Sequence, residues 1–308
     1  VHDRLRWVET PRWLMPCRGA WDRLDLYHGP NFKMHTTGRS GGIVTIHDLW
    51  LARHPEYSRK LLGQAGSSRR AIATANRARR VVTVSEFSAR EIEALYGIPR
   101  ERVVVIHNGV TEEFSPVQDE QGMAVLRARW AIPSAGFILF VGGADPRKNH
   151  RVFLQAVAQS RSQLGGRAIL LVGDAEHPQG SYLATARSLG LEQDVRCTGR
   201  LNREDLCRLY SYAEVFVFPS LYEGFGMPVL EAMACGAPTI TSSTSSLPEV
   251  AGDAALLVNP EDAEALGAAM VKVLSEQALQ QQLRDRGFER TRLFTWQRAA
   301  LRTSALYR

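Results

Sequence analysis

Cysteine is scarce in this chain of 308 residues: Cys17, Cys197, Cys207 and Cys235 make up the whole complement, and no two form a C-x-x-C pair. That spacing excludes a disulfide framework and a zinc site of the usual kind, so buried thiols and no metal ligands are expected. Long apolar runs are missing as well. None approaches the about 18 residues that a bilayer-spanning helix needs, and the opening VHDRLRWVET is charged where a secretory signal carries an apolar stretch. A cytoplasmic protein is expected. Acidic residues run short in one part only. Residues 1–110 hold 18 Lys+Arg against 10 Asp+Glu, or +8; subtracting these from the totals of 38 and 32 leaves 20 against 22, or −2, for the rest. Much of the excess lies in SRKLLGQAGSSRRAIATANRARR, Ser58–Arg80. This stretch reads either as a solvated helix face or as a surface for anionic lipid headgroups, phosphorylated acceptors or nucleic acid. No aromatic residue interleaves with its arginines, which counts against a nucleic-acid groove.

What the chain has in quantity is short apolar runs rich in β-branched residues: GGIVTIHD, RRVVTVSE and ERVVVIHNG, then FILFVGG, AILLVGD, DVRCTG, EVFVFPS, APTITSS and AALLVNP. Continuous apolar strands separated by helical patterns predict parallel sheets covered on both faces, hence an α/β class. The helix after VVTVS is expected to start with a capping box, Ser88 with Glu91 three residues on. A polar break at Phe114–Gly136, flanked by Pro116 and Pro133, suggests a domain boundary. The expected division is residues 1–131, 132–290 and a terminal helix at 291–308.

In open parallel sheets ligands bind beyond the carboxyl ends of the strands, so the residues after each strand are the candidates. After FILFV come Gly142, Gly143, Ala144, Asp145, Pro146, Arg147, Lys148 and Asn149. Glycines let a ligand approach the backbone, Arg offers a fork and Lys a point charge, a combination suited to a diphosphate. An adjacent Arg-Lys pair is also common on plain surface. After EVFVFPS come Leu221, Tyr222, Glu223, Gly224, Phe225 and Gly226, opening a helix that continues through Glu231. The N–H groups of Gly224, Phe225 and Gly226 are expected at that helix start, where an anion is favoured. Eight residues at 100° each end 80° past two full turns, which places Glu231 near the side of Glu223. Apolar Val229, Leu230, Ala232, Met233 and Ala234 surround Glu231, and a buried carboxylate needs partners, such as the two hydroxyls of a ribose.

The stretch YEGFGMPVLEAMACGAPTI is similar to the E-x7-E signature of the retaining glycosyltransferases of family 4, the glycosyl transferases group 1. VGGADPRKN resembles the family's phosphate-binding segment. YHGPN, TIHDL, VVTVSEFSAREI and VIHNGV follow in the family's order, and FTWQRAALRTSALYR resembles its terminal helix. The resemblance covers nearly the whole chain and implies the GT-B fold, two facing Rossmann-like domains with parallel sheets. The family's usual opening strand and glycine-rich loop do not precede Val1, so the first domain is expected to be incomplete.

Carried over by position, the resemblance implies that Arg147 and Lys148, with Gly142 and Gly143, neutralise the diphosphate of a nucleoside-diphosphate sugar. No metal or other cofactor is then needed. It implies that Glu231 binds the donor ribose, that Glu223 with the Gly224–Gly226 amides binds the transferred sugar and its phosphate, and that Arg200 borders the base. His47 is placed near the reacting sugar, with Asp48 a second choice for the acceptor. His28, Asn31, His107 and Asn108 are weaker candidates, because Asn-Gly is itself a turn signal. The expected activity is retaining hexosyl transfer, mannose from GDP-mannose favoured, to a glycan or polyprenyl-diphosphate-linked acceptor in polysaccharide or lipopolysaccharide synthesis. Peripheral contact with the inner membrane face through the basic first domain is part of this expectation; nucleic acid is not. The alternatives are a truncated, inactive nucleotide-sugar-binding protein and another GT-B enzyme such as a sugar-nucleotide epimerase.

Overall fold

The computed structural model describes residues 26–34, 42–54, 65–177 and 180–308. The opening residues, Cys17 and residues 58–64 of the basic stretch lie outside them. Two compact units are present, Val1–Ile106 with Thr303–Arg308, and His107–Arg302.

The first unit contains a parallel sheet of four strands in the order β1 (Tyr27–Gly29), β2 (Gly42–Ile46), β3 (Arg80–Thr83) and β4 (Val103–Val105). The helices α1 (Trp50–Arg53), α2 (Ala65–Arg77) and α3 (Glu86–Tyr96) belong to it. Every residue of β2 is buried, and Val44, Ile46, Val81, Ala89, Ile92 and Val105 form one apolar core with Ile98. Each Val or Ile among them contributes roughly 1.5–3 kcal/mol. Two features differ from the sequence reading. Tyr27–Gly29, expected as loop, pairs with β2 as a three-residue strand. The cap of α3 is Ser85, whose hydroxyl accepts from the Ser88 N–H at 3.0 Å, while Ser88 lies inside the helix. Glu91 does not reach back to a cap; it takes Arg53 at 2.6 Å. The Arg102 guanidinium lies over the C-terminal end of α2 and donates to the carbonyls of Ala75, Asn76 and Ala78, where a helix leaves acceptors unpaired and favours a cation.

The second unit is built on six parallel strands in the spatial order β9 (Val195–Gly199), β6 (Ala168–Val172), β5 (Phe137–Val141), β10 (Val215–Phe218), β11 (Thr239–Ser242) and β12 (Ala255–Val258), with a short hairpin of β7 (Glu176–His177) and β8 (Gly180–Ser181). All six sheet strands fall on runs expected from the sequence. Its helices are α4 (Glu120–Arg129), α5 (His150–Ser160), α6 (Tyr182–Ser188), α7 (Arg203–Tyr212), α8 (Met227–Ala234), α9 (Leu247–Ala251), α10 (Ala263–Ser275), α11 (Gln277–Thr291) and α12 (Trp296–Leu306), which ends in the residues counted with the first unit. Helix α5 buries His150, Phe153, Leu154, Val157 and others at helical spacing, and Phe153 stacks on Phe140 of β5 at 5.3 Å.

The two compact units meet in the sequence at Ile106/His107. The polar segment that suggested the later boundary is tied to α7: the N–H groups of Val117 and Asp119 donate to Ser211 and Tyr212, and Arg208 holds the Asp119 carboxylate at 2.7 Å. Its polarity satisfies its own backbone. Among the described residues no helix is long and apolar enough to cross a membrane.

Because the Ser85 hydroxyl is buried and caps α3, Ser85→Ala is expected to lower unfolding free energy in urea by about 1 kcal/mol or more. Equal stability of variant and wild type would remove Ser85 as the cap.

Candidate functional site

Counted along the chain, the second sheet runs 3-2-1-4-5-6, so β5 and β10 are neighbours whose connections leave in opposite directions. At such a switch point the loops beyond the strands part and leave a crevice. The loop after β5 (residues 142–149) and the loop after β10 (residues 219–226) flank it, and these carry most of the candidate residues.

The first loop is braced from below. Gly142 N–H donates to Val172 at 2.8 Å and Ala144 N–H to the Asp174 carbonyl at 2.8 Å. The Gly142 carbonyl takes the hydroxyl of Tyr182, which is fully buried. It also passes so close to Gly173 that a Cβ there would lie 2.3 Å from its oxygen. Residues Pro146–Lys148 then form a single 3₁₀ turn, capped by the Asp145 carboxylate accepting from Arg147 N–H. Asn149 ends the turn in left-handed conformation (φ 61°) and is buried, its amide donating to the carbonyls of Pro219 and Pro260 at 3.0 and 2.6 Å. Asn tolerates that backbone better than most residues. Arg147 and Lys148 thus do not enter a helix directly; α5 begins only after this kink.

The two loops bond to one another. The Arg147 carbonyl accepts from Leu221 N–H at 2.9 Å and lies 3.0 Å from the Ser220 hydroxyl. The Lys148 ammonium, 5.0 Å above the Phe218 ring, donates to Glu223 Oε1 at 2.7 Å, and the Ser220 hydroxyl reaches the same oxygen at 2.7 Å. Glu223 is buried. Burial raises its pKa, but the charges of Lys148 and Arg147 and the two hydrogen bonds outweigh that and hold the carboxyl below its ordinary value. It is therefore a buried carboxylate with a paid-up partner set.

Glu223 lies in the loop, so the two-turn arithmetic that aligned it with Glu231 does not apply. Gly226, at φ 114°, caps α8, and a Cβ there would meet Leu247 at 2.7 Å. The loop's backbone rests on the segment before α9: Glu223 N–H donates to Ser245, and the buried Ser246 hydroxyl lies 2.9 and 2.7 Å from the carbonyls of Glu223 and Phe225. Phe225, carried as a ligand residue for its backbone N–H, is 4% exposed, and its ring packs inward on His107 and Phe294; only its backbone is left to face a ligand. Glu231, on α8, has a different environment. Burial pushes its carboxyl above the ordinary range, partly offset by the Tyr210 hydroxyl at 3.4 Å and the charge of Arg203.

Gly142, Gly143, Lys148, Asp174 and Arg200 line a cleft of about 520 Å³. Arg200 is exposed and clasps Asp174 at 2.6 Å, and that hydrogen bonding holds the Asp174 carboxyl below its usual value. Of the remaining candidates, His28, Asn31, His47 and Asp48 lie in the first unit, and His107 and Asn108 open the second. His47 Nε2 is 2.9 Å from the Pro30 carbonyl, which in the neutral ring fixes the proton on Nε2 and leaves Nδ1 an acceptor. Asp48 caps the turn into α1 by accepting from Trp50 N–H at 3.0 Å. His28 is engaged at both nitrogens, by Tyr307 at 2.5 Å and Thr45 at 2.8 Å, a structural placement. Asn149, Ser220, Ser246 and Tyr182 were not singled out from sequence; only Asn149, directly after the cations, carried a positional signal.

The sequence model described as Glycosyl transferases group 1 matches residues 125–290, and that described as Glycosyltransferase Family 4 matches residues 3–114. The chain belongs to the glycosyl transferases group 1 family. It is 32% identical over 308 residues to O-antigen chain mannosyltransferase B of Escherichia coli, covering 98% of this chain and 80% of that one. It is 34% identical over 233 residues to the Escherichia coli serotype-specific mannosyltransferase WbdA, covering 74% of this chain and 28% of that longer protein. Among solved structures it is similar to sucrose-phosphate synthase from Thermosynechococcus elongatus, with TM-score 0.76 and 26% identity, over 97% of this chain and 80% of that one. The two parallel sheets are those of a GT-B glycosyltransferase.

Removing one partner of a buried ion pair strands the other charge. Glu223→Gln is therefore expected to lower stability at neutral pH by about 3 kcal/mol. Since the fold depresses the Glu223 pKa, the carboxylate's contribution is present above its ordinary value of 4.5 and is lost as pH falls through the lowered one. Denaturant titrations across pH should show the gap between wild type and variant closing in acid. A gap independent of pH would mean that Glu223 is not ionised in the fold.

Proposed function

We propose that this glycosyltransferase transfers a hexose, mannose favoured, from a nucleoside-diphosphate sugar to a glycan or polyprenyl-diphosphate-linked acceptor in the synthesis of cell-surface polysaccharide or lipopolysaccharide. The observation that carries the reading is the pairing at the switch point: a glycine loop ending in Arg147 and Lys148, bonded across the crevice to the buried carboxylate of Glu223. The similarity to an O-antigen chain mannosyltransferase over 80% of its length supports the mannosyl assignment, and GDP-mannose is the donor proposed with it.

On this reading the Arg147 guanidinium and the Lys148 ammonium balance the charge that grows on the diphosphate as the sugar departs, so no metal is required. Lys148 has three N–H donors, of which the described residues take one. Glu223 accepts hydroxyls of the transferred sugar. Glu231 takes the ribose hydroxyls, Arg200 borders the base, and the amides of Gly224 to Gly226 meet phosphate oxygens. His47 offers Nδ1 to a sugar hydroxyl. The acceptor enters on the face from which the diphosphate leaves, its proton passing to the departing oxygen, with retained configuration. A pair of carboxylates in the glycosidase arrangement is then unnecessary.

The enzyme works in the cytoplasm at the inner membrane face, where exposed Arg70, Arg77, Arg79 and Arg80 meet anionic headgroups. Reversing these four charges is expected to reduce sedimentation with phosphatidylglycerol vesicles at least tenfold; unchanged sedimentation removes this part of the reading.

Calorimetric titration without added metal against GDP, UDP and ADP tests the donor site. GDP is expected to bind, with affinity lowered at least tenfold by Lys148→Ala or Glu231→Ala, about 1.4 kcal/mol. Failure of all three nucleotides to bind overturns the proposed function.

A further inference from the structure

We infer that His107 is a positioning residue for the loop at residues 219–226, tying the loop's Phe225 ring to α9. The inference rests on the donor-site reading of that loop. His107 is the first residue of the second unit, and its ring bonds two of the loop's neighbours at once. Its Nε2 lies 2.8 Å from Glu249 Oε1 in α9. Its face sits 6.0 Å from the Phe225 ring at a 31° tilt, and its ring is edge-on to Phe294 at 5.4 Å. Phe225 and Phe294 complete the triangle at 5.8 Å. Centroid separations of this size lie within the attractive range for aromatic pairs.

The loop's backbone is already fixed. Leu247 of α9 fills the space beneath Gly226, and Ser246 holds the carbonyls of Glu223 and Phe225. His107 closes this circuit, because Glu249 belongs to the same helix as Leu247. The segment that presents His107 is itself immobilised. Val110 pairs in parallel with Thr295, Val110 N–H donates to Phe294 at 3.0 Å, and a Cβ on Gly109 would lie 2.1 Å from Trp296 N. Arg290, 5.1 Å over Phe294, donates to the carbonyls of Val250 and Glu249 and so fastens Phe294 to α9. Phe225 stands between Gly224 and Gly226, whose backbones have no side chain to restrain them. The ring of Phe225 is thus the loop's handle, and His107 grips it.

Amide hydrogen exchange of the unliganded protein reads the loop directly, and it does so whether or not a nucleotide binds. In His107→Ala, exchange across residues 224–226 is expected to rise at least about tenfold. His107→Gln, which keeps a donor for Glu249, and His107→Phe, which keeps the ring, should each recover part of the protection. Affinity for GDP should follow the same order while exchange in the core strand β6 stays at the wild-type value. If His107→Ala does not fold, the Gln and Phe variants are read alone, with faster exchange than wild type expected in both. Wild-type exchange at 224–226 in every folded variant overturns the inference. Loss of protection without any nucleotide binding, in wild type included, leaves the positioning role standing and refutes the donor reading instead.

Discussion

A buried ion pair, Lys148 to Glu223, joins two loops that the sheet topology sends in opposite directions. Strand order alone opens a crevice between β5 and β10; it does not say how wide the crevice is or what faces into it. The pair sets both. It brings a cation from the first loop to a carboxylate 75 residues further along the chain, in surroundings where neither charge would be tolerated alone. Such pairs often add little to stability compared with apolar residues of the same shape. The presence of this pair keeps charge of both signs at the mouth of the crevice, and the bonds made by Ser220 and the Arg147 carbonyl brace the arrangement.

The two glutamates of the E-x7-E stretch, equal in sequence, are unequal in the fold. Glu223 is surrounded by donors and cations and stays ionised. Glu231 has one long hydrogen bond to a tyrosine and a carboxyl pushed up by burial. Environments that drive like groups apart assign them different tasks. One carboxylate is charged and tied to both loops of the site, and the other is nearly unpartnered by charge and has a single long hydrogen bond.

Nine strands were legible because parallel strands covered on both faces must be apolar throughout, as FILFV and AILLV are. The positions of Gly142, Lys148 and Glu223 at strand ends followed from the same reading. Other features left no such trace. Tyr27–Gly29 and the hairpin at residues 176–181 are too short to show a period. Ser85 and Ser88 both suit a cap and both are buried; the backbone decides, extended at Ser85 and helical at Ser88. The Lys148 and Glu223 partnership depends on which strands become neighbours, which no local pattern records. The segment at residues 114–136 looked like a linker because its polar groups are many, yet they are spent on α7. The sequence reading of Phe225 concerned only its backbone N–H, and nothing local showed that its ring turns inward onto His107 and Phe294.

The carbonyl of Gly142 deserves a last consequence. Close against Gly173 and taken by the buried Tyr182 hydroxyl, it is a negative dipole already engaged inside the fold. The electrostatics of this loop are thus partly encoded in residues of other elements. Anyone grafting the PRKN segment onto another sheet would have to move a glycine from the neighbouring strand end and a tyrosine from a third element with it, or the transplanted loop would lose both the room and the partner that its first carbonyl needs.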